Sequence, residues 1–193
     1  MRMSTALAVA PIFCTLVFCH HARAASVRHY VNQNYNFCID YPSGWRSVVP
    51  FDGNAVELLP PKAQAKGPRT QITVGGQANQ PSEGDDTRRQ SLEEYWNVQL
   101  RAMAEYDKAT AIDVIGKKLV TLAGYPALET VFEYTIGSER WHERQIALIT
   151  QSDAVFVLSL RCYPNDVQQL RPIYDSVVRS FRIHCNPKLP ERP

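Results

Sequence analysis

The sequence predicts an α+β fold, an antiparallel β-sheet with helices packed on its faces. The first observation is a run over 119–162 that has the pattern of three consecutive strands joined by short turns. The second is that apolar residues recur at helical spacing directly after this run, as far as Phe181. Shorter strand patterns and one further helical pattern precede it. We therefore expect a sheet organised around this meander, with the final helix lying back across it.

The N-terminal segment has the three parts of a secretory signal peptide. Arg2 gives it a positive start, residues 6–18 form its apolar middle, and residues 22–24 are a small-x-small cleavage site. The apolar run is too short to span a bilayer. Cys19 raises the alternative of a lipoprotein, but the bulky Phe18 stands where lipidation sites have a small residue. The sequence therefore predicts an exported protein, periplasmic or secreted, that is not anchored through Cys19.

The predicted organisation is a signal peptide over 1–24, a single domain over 25–185 and a disordered tail over 186–193. The 193-residue chain has 21 Lys and Arg against 19 Asp and Glu, and its signal peptide contains Arg2 and Arg23 but no acid. The mature chain therefore has no net charge, and its composition gives no support to a nucleic-acid partner.

The first half of the mature chain has short strand patterns and one helical pattern. Strands are predicted over 34–41, 55–59 and 71–74. Polar loops are predicted over 60–68 and 78–87. Gly75-Gly76 is interpreted as the end of the third strand, and His29 is placed in a loose N-terminus. Ser91, with Glu94 three residues later, has the capping-box pattern that begins a helix.

The central meander contains the clearest turn signals. A short strand pattern over 117–122 comes first, and the longer strand patterns cover 127–136, 140–150 and 154–162. Gly137-Ser138 is a two-residue hairpin signal, which would place Tyr134 opposite Trp141 and Glu133 opposite His142. The last strand is apolar on both faces, which is typical of a central strand covered on both sides.

Three cysteines remain after removal of the signal peptide, namely Cys38, Cys162 and Cys185. An oxidising compartment predicts one disulfide and one free thiol among them. The helix after the last strand, interrupted by Pro172, rises about 20 Å and carries Cys185 away from Cys162. We therefore predict a disulfide between Cys38 and Cys185 and a buried free thiol at Cys162, although the sequence leaves the other pairings open.

The order of these parts resembles a known family. The opening motif Phe-x-Ile-x-Tyr-Pro-x-Gly-Trp is formed by Phe37, Ile39, Tyr41, Pro42, Gly44 and Trp45. A Gly-x-Pro-Ala turn, formed by Gly124, Pro126 and Ala127, precedes the meander, and the final helix closes on Ser180-Phe181. Over nearly all of the mature chain this resembles the PsbP-like family, in the broad sense that includes small bacterial envelope proteins. The resemblance implies an α/β/α sandwich and a non-enzymatic accessory or binding protein without a shared catalytic set.

The densest polar cluster in the sequence surrounds His142. Its neighbours Glu133, Glu143 and Arg144 supply carboxylates and a cation, but one histidine and a carboxylate are too few ligands for a zinc or iron site. The cluster is therefore interpreted as a solvated cross-strand pair. The chain has no Gly-x-Ser-x-Gly elbow and no phosphate-binding loop pattern. We predict no catalytic residue, no metal and no cofactor.

The leading functional hypothesis is a binding or accessory module for an envelope protein partner. The predicted contact surface is the hairpin tip, with Ser138, Glu139, Trp141 and His142, together with the loop over 78–87, because functional contacts concentrate on exposed connections. The partner and the oligomeric state are not predicted.

Two alternatives stay open. A carrier of a small apolar ligand would need a cavity of several hundred cubic ångströms between the sheet and a helix. A hydrolase or metalloenzyme would need a concave site that gathers His142 with at least two further polar residues from distant strands.

Overall fold

The structure is a computed structural model that describes residues 26–62 and 69–185, without the side chains of residues 86 and 87. Three predicted features lie outside these residues, namely the signal peptide with Cys19, the tail over 186–193 and most of the loop over 60–68.

Strands dominate the described part of the chain. In chain order they are β1 Val27–Val31, β2 Phe37–Pro42, β3 Arg46–Val48, β4 Ala55–Leu59, β5 Gln71–Ala78, β6 Pro81–Ser82, β7 Asp85–Arg89, β8 Thr110–Leu122, β9 Tyr125–Ile136, β10 Glu139–Ile149, β11 Ala154–Cys162 and β12 Arg182–Ile183. The helices are α1 Leu92–Glu105 and α2 Val167–Ser180, and the 3-10 turn Pro164–Asp166 directly precedes α2. Pro172 lies inside α2.

Seven of these strands form the main sheet, in the order β3-β4-β5-β11-β10-β9-β8. Every neighbouring pair in it is antiparallel. The strands of the predicted meander, β8 to β11, form the centre and one side of this sheet. The shorter strands β3, β4 and β5 form its other side. This architecture confirms the predicted α+β class.

The β9–β10 hairpin has the predicted register. Tyr134 lies opposite Trp141 and Glu133 lies opposite His142. Gly137 adopts φ 62°, the left-handed conformation that a tight two-residue turn requires and that glycine adopts without strain. The turn therefore fixes which residues of the two strands face each other.

Two adjacent residues of β10 show how the sheet separates two cores, since successive side chains point to opposite faces. Leu148 packs in the larger core with Tyr174 and Val177 of α2. Ala147 packs on the other face with Tyr95 of α1. The helices therefore cover opposite faces of the sheet, as an α/β/α sandwich requires.

A second, three-stranded sheet in the order β1-β2-β12 packs on the same face as α2. His29 was predicted in a loose N-terminus, but it lies in β1 opposite Asp40, and its Nδ1 is 2.7 Å from the Asp40 carboxylate. The pattern hid this strand because three of its five residues are exposed. Cys38 of β2 forms the predicted disulfide with Cys185, just after β12, and Cys162 is buried and free.

Gly75 and Gly76 lie inside β5, which corrects their interpretation as a strand end. Close approach explains both glycines. A Cβ on Gly76 would lie 2.5 Å from the Tyr35 ring, and one on Gly75 would lie 3.1 Å from the Cβ of Ala55. Glycine here makes room for packing and does not break the strand.

The region over 78–87 was predicted as a polar loop, but it belongs largely to a two-stranded ribbon formed by β6 and β7. The strands are too short for a hydrophobic alternation to appear in the sequence. The helix that follows begins as predicted. Ser91 Oγ accepts a hydrogen bond from the Glu94 backbone, and the Glu94 carboxylate accepts one from the Ser91 backbone.

Candidate functional site

The tip of the β9–β10 hairpin is exposed in four consecutive residues, Gly137, Ser138, Glu139 and Arg140. The Arg140 Nε donates to the Glu133 carboxylate at 2.7 Å, which ties the tip to the strand behind it. Ser138 and Glu139 therefore lie where the sequence placed them, on an exposed turn.

Trp141 lies directly behind the tip but has 0 % exposure. Its ring stacks on Tyr163 with centroids 4.4 Å apart, and Tyr163 donates a hydrogen bond to Glu139 at 3.3 Å. Its predicted place in a contact surface is therefore wrong, because the strand points this side chain into the core beneath α1. Trp141 instead anchors the tip from below.

His142 points to the opposite face of the sheet from Trp141. Its Nδ1 lies 3.5 Å from the Glu133 carboxylate, and its side chain is only 12 % exposed. The cross-strand pair is thus formed as predicted but is largely covered, and His142 presents little surface. The hydrogen bond from Arg140 lowers the pKa of Glu133, and the hydrogen bond from His142 lowers it further by a smaller amount. Burial acts in the opposite direction.

An ion-pair network continues from this pair along the same face. Arg144 donates to Glu129 at 2.9 Å and to Asp175 of α2 at 2.6 Å. These bonds attach α2 to the sheet. The described residues contain no group of three or more His, Cys, Asp and Glu side chains placed to hold a metal ion.

The face beneath α1 contains a polar cluster that the sequence did not reveal. The Tyr134 hydroxyl donates to Glu143 at 2.8 Å, and the Arg161 Nε donates to the same oxygen at 3.2 Å. Tyr134 is fully buried and Glu143 nearly so. Burial, reinforced by the Glu143 charge, raises the pKa of Tyr134. The period-two pattern contains a weak signal for this cluster, since Glu143 shares a face with Trp141.

Strand β11 is central, as predicted, but its face toward α1 is apolar only in its first half. Val155 and Val157 are in contact with the apolar side chains beneath Tyr95. Ser159 and Arg161, farther along the same face, are polar. The prediction from Val155 and Val157 therefore made the second apolar face longer than it is.

Strand β8 is an edge of the main sheet and is much longer than the predicted run over 117–122. Three large apolar side chains on it are exposed, Val114, Ile115 and Leu119. The sequence missed its first half because two bulges interrupt the alternation there.

Two clefts lie on the α1 side of the molecule. One, of about 320 Å³, lies between α1 and the β6–β7 region and is lined by Glu83, Asn97 and Arg101 among others. The other, of about 210 Å³, lies beside Tyr95 and Gly75. Both open to solvent, and neither lies between the sheet and α2.

Within the described ranges, no helix has the length and apolar character that crossing a bilayer requires. No model of a known protein family matches the chain, and no curated protein matches it.

Solved structures do match. The chain is similar to cyanobacterial PsbP (CyanoP) from Synechocystis sp. PCC 6803, with a TM-score of 0.57 and 16% identity, over 87% of this chain and 98% of that one. It is also similar to the Ran-binding protein Mog1p of Saccharomyces cerevisiae, with a TM-score of 0.59 and 10% identity, over 83% of this chain and 97% of that one. At these identities the likeness concerns the fold. The chain has the α+β fold of PsbP and Mog1.

Proposed function

We propose that the chain is an exported, non-enzymatic binding module that recognises an envelope protein through the tip of the β9–β10 hairpin. The observation that supports this most is the contrast between the exposed residues 137–140 and the fully buried Trp141 behind them. A tip that is already held in place loses little conformational freedom when a partner docks. Exposed connections on a rigid sheet are also where functional contacts concentrate.

The chemistry of the tip suits a polar protein surface. Ser138 offers a hydroxyl that donates and accepts, Glu139 offers a carboxylate, and Arg140 offers guanidinium donors that Glu133 orients. Trp141 contributes by holding the turn, and the largely covered His142 is left outside the contact surface.

The fold and the cysteines support the wider proposal. Mog1p, which is similar in fold, is a Ran-binding protein, so a protein of this fold binds another protein. The signal-peptide pattern and the Cys38–Cys185 disulfide fit an oxidising compartment outside the cytoplasm. No specific observation favours the carrier or the hydrolase alternative.

Site-specific photo-cross-linking in cells that export the protein tests the proposal. A photoreactive residue replaces Ser138, and a matched one replaces Arg171, whose side chain is 68 % exposed on α2. We expect a protein adduct from position 138 and little from position 171, with mass spectrometry of the adduct identifying the partner. Equal adducts from both positions, or adducts from 171 alone, would contradict a partner site at the tip.

A further inference from the structure

We propose that the open edge of β8 pairs with β8 of a second copy of this chain, so that two sheets join into one continuous antiparallel sheet. The proposal concerns a different surface and a different occupant from the partner site at the hairpin tip. Three observations support it, namely the regularity of one segment of the edge, the direction of its backbone groups and the side chains along it.

The C-terminal half of β8 is a regular edge. The two bulges of the strand lie between Thr110 and Asp113 and between Val114 and Gly116. From Gly116 to Leu122 the pairing with β9 is uninterrupted. Among the described strands, β9 is the only one hydrogen-bonded to β8. Bulges protect the first half of the edge against pairing, whereas the second half has no bulge and carries only the charges of Lys117 and Lys118.

The turn after β8 determines which backbone groups point outward. Ala123 and Gly124 have φ of 51° and 86°, so they form a two-residue turn with both central residues left-handed. Such a turn is closed by a pair that exchanges both hydrogen bonds, here Leu122 with Tyr125. Because the bonding direction alternates along an antiparallel strand, Lys117, Leu119 and Thr121 direct their N–H and C=O groups to the open edge.

Leu119 lies at the centre of this outward set and is 77 % exposed. It is opposite Leu128 of β9, whose side chain lies on the α1 face. We place a two-fold axis perpendicular to the sheet and midway between the Leu119 residues of the two copies. This arrangement keeps each face of one sheet continuous with the same face of the other. The exposed Leu119 side chains of the two copies would then be direct cross-strand neighbours.

The side chains along the strand favour this register. With the axis through Leu119, Lys117 faces Thr121 of the second copy and Lys118 faces Val120 of the second copy. A shift of the axis to Lys118 would instead place the exposed Leu119 opposite Lys117 of the second copy, so that the two leucines would no longer be neighbours. Lys118 forms an ion pair with Glu129 of its own chain at 3.5 Å. Lys117 is also neutralised within its own chain by an ion pair with Glu93.

The paired edges would gain about six backbone hydrogen bonds from three outward residues in each copy. The surface that such an edge-to-edge contact would bury is small compared with the roughly 1,200–2,000 Å² that stable interfaces bury. The proposed dimer therefore forms in a concentration-dependent way and dissociates on dilution.

Sedimentation equilibrium of the mature chain, from low-micromolar to millimolar concentration, measures the association. Two variants break the pairing in different ways. Thr121→Pro removes an outward N–H without removing a bond to β9. Leu119→Lys opposes two like charges at the axis. We expect each to weaken dimerisation at least about tenfold. Val27→Lys is the matched control, because Val27 is 65 % exposed on a strand of the other sheet and should leave dimerisation unchanged.

Cross-linking tests the register. A Leu119→Cys variant should be joined to its second copy by a short bifunctional thiol reagent, whereas a Val114→Cys variant should not. A chain that stays monomeric at every concentration overturns the proposal. A dimer that both edge variants leave intact overturns it as well, because it uses another surface. Neither result bears on the photo-cross-linking at Ser138, which tests the hairpin tip separately.

Discussion

At the scale of single residues, Glu143 shows how this fold accommodates a carboxylate inside a sandwich. Tyr134 and Arg161 both donate to it, at 2.8 and 3.2 Å. The guanidinium of Arg161 also lies over the Tyr134 ring, 5.7 Å from its centroid. A buried charge is tolerated only when donors compensate its lost hydration. The three side chains therefore depend on one another.

Arg161→Met tests this dependence. We expect it to lower the free energy of unfolding by about 2 kcal/mol, because Glu143 loses a hydrogen bond from a charged donor and keeps only the Tyr134 hydroxyl as a partner. Urea denaturation measures the loss. Adding Glu143→Leu should restore most of it, since the unpaired charge is then gone. Arg140→Met, at a more exposed ion pair, should cost less than about 0.5 kcal/mol. A double variant whose losses simply add would contradict the argument.

Residue roles were predictable where the strand period assigned a face. The sequence paired Tyr134 with Trp141 and Glu133 with His142, and the structure has both pairs. It nevertheless grouped Trp141 and His142 into one surface, although successive residues of a strand point to opposite faces. The complete cluster around Glu143 was not predictable, because its third member, Arg161, comes from β11, whose register with β10 is a property of the folded sheet.

At the scale of elements, α1 has a local signal for its first turn. Ser91 and Glu94 form the capping box, and Arg88 donates to the Glu94 carboxylate at 2.6 and 2.8 Å. The hydrogen bond from Arg88, together with those from Ser91, lowers the pKa of Glu94 to about 2. The cap therefore depends on an ionised carboxylate.

Ser91→Ala should destabilise the protein by about 1 kcal/mol at neutral pH. Because the folded pKa of Glu94 lies below its usual value of 4.5, the carboxylate's contribution is present above pH 4.5 and is lost as the pH falls towards 2. The effect of Ser91→Ala should therefore shrink over that window. Urea denaturation at several pH values measures it, with Ser138→Ala at the exposed turn as the control. If the destabilisation caused by Ser91→Ala grew as the pH fell, the role given to the Glu94 carboxylate in the cap would be refuted.

Elements were predictable where local chemistry alone determines them. The capping box of α1 and the glycine turn between β9 and β10 involve residues close in sequence. Strands β1, β3, β6, β7 and β12 were missed, because each is short or mostly exposed and is defined by its partner strand. Long-range pairing leaves little pattern in such segments.

At the scale of the whole molecule, the disulfide joins strand β2, near the start of the described residues, to Cys185, the last of them. Cys38 lies in β2 and Cys185 follows β12, with a sequence separation of 147 residues. The backbone supports the same closure, because Arg182 pairs with Cys38. A cross-link over so long a loop reduces the conformational freedom of the unfolded chain. All strands of the main sheet lie between the two cysteines in the sequence. The disulfide therefore closes a loop of the chain that contains the whole main sheet.

Replacing both Cys38 and Cys185 with serine should therefore lower the free energy of unfolding by about 2–5 kcal/mol. A Cys162→Ala variant is the matched control, since it removes a buried thiol but keeps the disulfide, and it should cost about 1 kcal/mol.

Thiol labelling measures which cysteines are free and accessible. Burial raises the pKa of Cys162 to about 12, so the native mature chain should react slowly. It should take up one label when unfolded and three when unfolded and reduced. Rapid labelling of the native chain at more than one cysteine would show that the disulfide is absent, and the expected loss of stability would then have no cause.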